Sequence, residues 1–528
     1  MLTIRTATGS LLALSLLGVV AGCGAGDYGL AKAPPSAGAR HSRAPMAPPP
    51  FQASPTTAVA QPAPEPVGTE GFKDYGVNPF VETSKDKLST FSIDVDTASY
   101  SFARRVIMRE NRLPPFAGVR AEEFLNSFDY GYELPSANDK APFKVSFAAS
   151  PSPFTKGHHL VRIGVKAKEI SPQERSPVHL VYLVDVSGSM NAPDRLPLAQ
   201  KSLKLLTETL KPGDTVALCT YAGSTRVVLE PTGIEQKAKI LAGIDSLTSG
   251  GGTAMNSGIQ LAYDLASKTL VKGHVNRVVV LSDGDANIGR TSHEDLLDSI
   301  AQYKERGITL STVGFGSGNY QDVNMEQLAD KGDGNYTYID GEEEAKKVFG
   351  REVDGLLQVV ARDVKIQVEL DPNVVRRYRL IGYENRDIKD KDFKNDKVDA
   401  GEVGAGHSVT ALYDVELVNP NELPKSAPLV VRMRHKPAKN ALHGGSDEAI
   451  ETEHKMLPTS FASSFEEAPE GFRFAVSLAA FAEILRKSPH AAEWKLADVE
   501  RIALASASQK PERMQAVALI QKAATLSR

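Results

Sequence analysis

Between residues 178 and 349, short apolar runs alternate with stretches of helical spacing, which leaves few folds open to this part of the chain. The runs at 178–184, 215–221, 226–229, 277–281, 308–313 and 335–338 have the length and composition of strands. Helical patterns fall between them, around 199–210, 236–245, 256–270, 293–306 and 325–331. Val278, Val279, Val280 and Leu281 follow one another without a polar break, as in strands buried on both faces. Such alternation predicts an α/β fold with a doubly wound, mostly parallel, Rossmann-like sheet. Ligands of such sheets bind beyond the carboxyl ends of the strands, so chemistry is sought there.

Three segments reach that edge independently. Asp185-Val186-Ser187-Gly188-Ser189 leaves the first strand, Ser282-Asp283-Gly284 leaves the fourth, and the glycine-rich loop 247–253 presents Thr253 ahead of a helix. They offer only oxygen donors, most of them uncharged, a set suited to a hard divalent cation: Mg2+ first, with Mn2+ or Ca2+ as alternatives. A cation held mainly by neutral oxygens keeps much of its charge and can accept an anionic ligand from outside. Asp and Ser are common at turns, so Asp-x-Ser-x-Ser alone carries little weight. Its occurrence with Thr253 and Asp283 in matching strand-end contexts is far more specific.

On these residues the 178–349 segment resembles a von Willebrand factor type A domain with a complete metal-ion-dependent adhesion site. The resemblance implies that Ser187, Ser189 and Thr253 approach the cation directly or nearly so. It implies that Asp185 and Asp283 act largely through water or hydrogen bonds, and that one position is left for an acidic group of a protein partner. Residues 91–100, Arg112-Leu113-Pro114-Pro115, Glu122-Glu123 and Phe128-Asp129-Tyr130, with Phe472-Arg473-Phe474-Ala475, resemble the flanking regions of bacterial lipoproteins that carry this domain.

The start of the chain fits that family. Residues 1–22 read as a signal peptide, with Arg5 ahead of an apolar segment from Leu11 to Ala21 that is too short to span a bilayer. Val20-Ala21-Gly22-Cys23 resembles a lipobox, with Cys23 as the lipidated residue whose several acyl chains suffice for stable membrane anchoring. Gly24 after the cysteine, by family convention, favours the outer membrane facing the periplasm. Residues 23–70, rich in Ala and Pro, read as a disordered tether. Cys219 then has no partner for an intrachain disulfide and is expected as a small buried residue. A net charge of −4 gives no reason to expect nucleic acid.

The flanks read as an N-terminal α+β region, 71–177, and a C-terminal domain, 350–528, of strands followed by helices. In the first, residues 91–100 give way to a helix through Phe102, Val106 and Ile107, with Asp96 or Thr97 as its cap. A second helix is expected over 120–127, and strands over 143–149 and 159–166. Asp94 and Asp96 read as turn and cap residues, since they lack the spacing of a calcium loop. In the second, strands are expected over 364–370, 374–383, 407–417 and 429–435, with 385–402 as a solvated loop. Phe472, Phe474, Leu478 and Phe481 are expected in a helical core, with Trp494 opening the next helix and packing between helices.

Competing chemistries fit poorly. Asp283, Asp285, Asn287 and Glu294 match an EF-hand loop in part, but Ile288 stands where glycine is required and a strand precedes them. Gly250-Gly251-Gly252-Thr253 lacks the Gly-Lys-Ser/Thr ending of a phosphate-binding loop. A metal-dependent hydrolase needs a general base, and none is apparent: His158 and His159 are expected at a surface or strand edge and His179 in packing. The expectation is therefore a lipid-anchored envelope protein that binds a protein partner through its cation and is not an enzyme. A scaffold with a purely structural metal is the first alternative, and a metal-dependent hydrolase the second.

Overall fold

The computed structural model describes residues 71–136, 139, 141–171, 173–284, 290–317, 322–420, 422–438 and 447–527. The signal peptide, Cys23, the tether, and Asp285, Asn287 and Ile288 lie outside these residues. In chain order come β1 (Val81–Glu82), β2 (Leu88–Ser92), α1 (Ala98–Arg109), α2 (Ala121–Asn126), β3 (Phe143–Pro151) and β4 (His158–Ala167). The next stretch holds β5 (Val178–Asp185), α3 (Leu196–Thr209), β6 (Thr215–Tyr221), β7 (Thr225–Gly233), α4 (Lys237–Asp245), α5 (Met255–Lys268), β8 (Val275–Ser282), α6 (Arg290–Glu305), β9 (Ile308–Gly314), α7 (Asp322–Lys331), β10 (Tyr336–Tyr338) and α8 (Glu342–Lys346). A π-helical turn, Lys347–Arg351, leads into α9 (Val353–Leu357). Then follow β11 (Val359–Leu370), β12 (Val375–Ile381), β13 (Gly401–Gly404), β14 (Ser408–Leu417), β15 (Leu429–Pro437), β16 (Ile450–Lys455), α10 (Glu470–Leu485), α11 (Leu496–Ala505) and α12 (Pro511–Leu526). Among the described residues, no helix is long and apolar enough to cross a membrane.

The strands of 178–349 form one sheet in the order β10-β9-β8-β5-β6-β7, parallel throughout except for the edge pair β6–β7. Every residue of the central strand β5 is buried. Alternation along it explains why its sequence is apolar without interruption. Leu180, Tyr182 and Val184 enter a core with Leu203 and Leu206 of α3, while Val181 and Leu183 enter a core on the other face with Ile259 and Tyr263 of α5. The chain passes from β5 to β6 on one side and later returns to place β8 on the other. Asp185 and Ser282 therefore end neighbouring strands at the switch point of the sheet.

Helix α1, although outside 178–349, contributes Ala98, Phe102 and Val106 to the second of those cores. Its opposite face sends Tyr100, Ala103 and Ile107 into a helical core with Phe472, Phe474, Leu478 and Phe481 of α10. The flanking regions interleave as well. A sheet ordered β1-β12-β14-β4-β3 mixes strands from before and after the inserted domain, and β2 pairs with β11 of a second sheet, β13-β11-β15-β16. The two sheets enclose a shared core that includes Ile163, Val165, Ile366, Val368, Tyr413 and Met433.

Several local expectations are corrected. The 385–402 stretch is not simply solvated: Ile388 and Phe393 are buried, and Arg386 pairs with Asp94, Asp96, Glu326 and Asp330. Asp96 does not cap α1; its Oδ1 accepts from the Tyr336 backbone N–H at 3.0 Å, while Asp94 Oδ1 closes a turn onto the Asp96 N–H. His158 and His159 lie on an interior strand, where His159 is buried and His158 Nδ1 meets Asp414 Oδ1 at 2.8 Å. Trp494 stands ahead of α11 instead of opening it, but it packs against the helical core as expected and stacks on Phe154, ring centroids 4.8 Å apart. Cys219, by contrast, is fully buried as expected, and that burial pushes its thiol pKa up to about 12.

Candidate functional site

Asp185 closes β5 with no exposed surface. Its Oδ1 accepts the Ser187 N–H at 2.9 Å, and its Oδ2 accepts the Ser282 hydroxyl at 2.9 Å and the Tyr221 hydroxyl at 3.1 Å. The ends of three adjacent strands, β5, β6 and β8, thus converge on one carboxylate. Burial raises its pKa above the usual carboxylate value, opposed by the hydrogen bonds from Ser187 and Ser282.

With Asp185 fixed from both sides, the chain turns and places the Ser187 and Ser189 hydroxyls 2.9 Å from each other. The glycine loop lies against this turn: Gly188 N–H donates to Gly251 O at 3.1 Å and Gly250 N–H to Val186 O at 2.7 Å. Gly251 has φ +92°, and a Cβ there would sit 3.2 Å from the Gly223 backbone nitrogen, so the loop closes only with glycine at that position. Thr253 follows two residues later, half-buried, just ahead of α5. Asp283 is buried one residue past β8, where its Oδ2 accepts Arg195 Nη1 at 3.0 Å.

Sequence reasoning did not find Tyr221, Ser282 or Arg195. The first two ended strands at the same edge, which was a usable signal. Arg195 precedes α3 with nothing in its spacing to mark it. Its guanidinium also donates to Ser189 O and to Ser317 O.

Among the described residues there is no group of three or more His, Cys, Asp or Glu placed to hold a metal. The edge offers two carboxylates, and hydroxyl oxygens would have to complete any coordination. That donor chemistry fits a hard cation and would not suit one preferring nitrogen or sulfur. The histidine pair nearest in sequence to the sheet, His179 and His274, is hydrogen-bonded at 2.9 Å at the opposite, amino-terminal edge.

Residues 179–351 match the model of the von Willebrand factor type A domain, residues 66–162 a model described as von Willebrand factor, and residues 355–526 one described as the C-terminal region of the uncharacterized protein YfbK. YfbK of Escherichia coli (strain K12) is 36% identical over 446 residues, covering 80% of this chain and 75% of YfbK. The chain belongs to the YfbK family of von Willebrand factor type A proteins. A UPF0353 protein of Mycolicibacterium vanbaalenii is 30% identical over 203 residues, which is 34% of this YfbK-family chain and 59% of that protein. Among solved structures, a von Willebrand factor type A protein from Catenulispora acidiphila covers 74% of the chain and 92% of its own, at 16% identity and a TM-score of 0.42.

Proposed function

We propose that this YfbK-family protein binds a protein partner through a divalent cation, Mg2+ in the first instance. Ser187, Ser189 and Thr253 would hold the cation, with Asp185 and Asp283 acting through water or hydrogen bonds. The bound ion supplies an electrophilic position for an acidic side chain of the partner. The observation that carries this reading is the pair of serine hydroxyls 2.9 Å apart behind a carboxylate already fixed by Ser187, Tyr221 and Ser282. Such a carboxylate is oriented in advance, and most of the remaining donors are neutral, so an ion seated there would keep its affinity for anions. No general base accompanies the five residues among the described contacts, which favours recognition over hydrolysis. We further propose that Cys23 is lipidated and that residues 23–70 tether the folded part to the envelope, on the periplasmic face of the outer membrane.

Mn2+ binding to purified full-length protein, followed by electron paramagnetic resonance, tests the site. Wild type should bind one ion that Mg2+ displaces, and Asp185→Ala should lose it while keeping the circular dichroism of the folded protein in chelator. Affinity capture from envelope extracts with magnesium and with chelator then tests the partner. Capture unchanged by both Asp185→Ala and chelation refutes metal-dependent adhesion. A melting temperature that falls in step with metal loss supports the scaffold instead. Cys23→Ser should leave the membrane fraction.

A further inference from the structure

We infer that Arg195 sets the charge of the metal-binding edge, making the loaded site cationic so that it holds its metal loosely and favours a single carboxylate as ligand. The inference rests on the reading proposed above.

Arg195 joins three loops. Nη1 donates to Asp283 Oδ2 at 3.0 Å and to the Ser189 carbonyl, and Nη2 donates to the Ser317 carbonyl at 2.5 Å. Its side chain is 16% exposed and that of Asp283 is 2% exposed, so the pair is screened by water on one side only. The path of the guanidinium is built in: Gly316 adopts φ +74°, and a Cβ there would collide with Arg195 Nε, Cγ and Cδ. A planar fork is needed to reach a carboxylate and two carbonyls at once, which a lysine ammonium cannot reproduce.

The charge balance follows. Counting the described residues alone, with Asp185 and Asp283 ionised, a divalent cation would leave the cluster neutral. Arg195 gives it one net positive charge, which a single carboxylate from outside then neutralises. The same charge opposes the metal, since like charges within one partly buried cluster repel. Arg195 is thus a positioning residue acting through Asp283, and its effects on metal and on ligand have opposite signs. A purely structural link between loops would affect both in the same direction.

The test uses full-length protein with Mn2+ as the metal and acetate as the carboxylate, the latter read by the fall in water-proton relaxation when acetate displaces water from bound Mn2+. Arg195→Gln should bind Mn2+ about tenfold more tightly, the scale of a screened repulsion between a divalent and a unit charge, and acetate several-fold more weakly. Arg195→Lys, which keeps the charge but loses the fork, should hold Mn2+ within about twofold of wild type. Mn2+ affinity that is unchanged or weaker in Arg195→Gln overturns the inference while the metal site stands. If the Gln variant does not fold, a loss of Mn2+ affinity in Arg195→Lys overturns it equally. Wild-type protein that binds no Mn2+ removes both the inference and the reading beneath it.

Discussion

Replacing Arg120 by methionine should destabilise the protein by about 3–5 kcal/mol at pH 8, the usual cost of breaking a buried ion pair from one side. Arg120 precedes α2, and its side chain is 7% exposed. Nη1 lies 2.6 Å from Asp322 Oδ2 and 3.5 Å from Glu326 Oε2 on α7, while Nε donates to Glu123. The variant would leave Glu326 with Arg386 at 3.4 Å and Asp322 with the Tyr336 hydroxyl at 2.6 Å. Glu123 would keep only the Ser99 N–H at 2.7 Å. Burial already pushes the Glu123 pKa up to about 8 against the pull of Arg120, and losing the guanidinium would push it further. The orphaned carboxyl would then bind a proton in the folded state that the unfolded chain has released. Stability of the variant should therefore recover as pH falls from about 8 towards the unfolded value near 4.5, because the native state binds more protons. Equilibrium urea unfolding at pH 8 and pH 5.5 measures both effects; because Glu123 of the wild type already holds its proton up to about pH 8, both proteins gain on acidification and the loss should shrink by less than about 1 kcal/mol. A loss under about 1 kcal/mol at pH 8, or one that grows on acidification, would refute the reasoning. Lys201→Met serves as the control: its pair with Glu342 is more than half exposed on both sides, and the unfolding midpoint should not move.

Two further outcomes are expected. Glu122 is buried, and burial, then Glu384 and Asp94, hold its pKa up to about 7 against the pull of its own backbone N–H and that of Tyr383. Its ionisation penalty is absent below about pH 4.5, grows towards pH 7 and is complete above, so Glu122→Gln should stabilise by roughly 3 kcal/mol at pH 8 and by nothing at pH 4 in urea unfolding. A variant less stable than wild type at pH 8 would contradict this. Cys219, fully buried and with its thiol pKa near 12, should react with a thiol reagent only in urea, and rapid labelling of native protein would be inconsistent with its place in β6.

The inserted α/β segment and its edge were legible in the sequence because both are local. An uninterrupted apolar run reports burial on two faces, and β5 ends directly on Asp185. Tyr221 and Ser282 escaped notice because hydroxyls at strand ends are common, and only the lateral order of the sheet shows them meeting one carboxylate. The pairing between the two flanks was not legible for a related reason: alternation shows which face of a strand is buried but says nothing about its neighbour. His158 and Asp414 are 256 positions apart yet meet diagonally across β4 and β14, where His158 is in register with Glu416. No pattern within either strand announces that pairing.

Helix α1 shows what this interleaving does for the site. Its apolar residues do not form a single stripe: Phe102 and Val106 enter the core of the inserted sheet, while Tyr100, Ala103 and Ile107 enter the helical core built by α10. A helix apolar on two faces is packed between two bodies. Between those faces Arg105 donates to the Gly316 carbonyl at 2.9 Å, and the Tyr338 hydroxyl reaches the same atom. Gly316 is the residue whose missing side chain lets Arg195 pass to Asp283. The loop beneath the candidate metal edge is therefore pinned from the flanking region as well as from its own sheet. That is a physical reason for this chain to carry an N-terminal segment against a von Willebrand factor type A domain that elsewhere on the sheet supplies its own core.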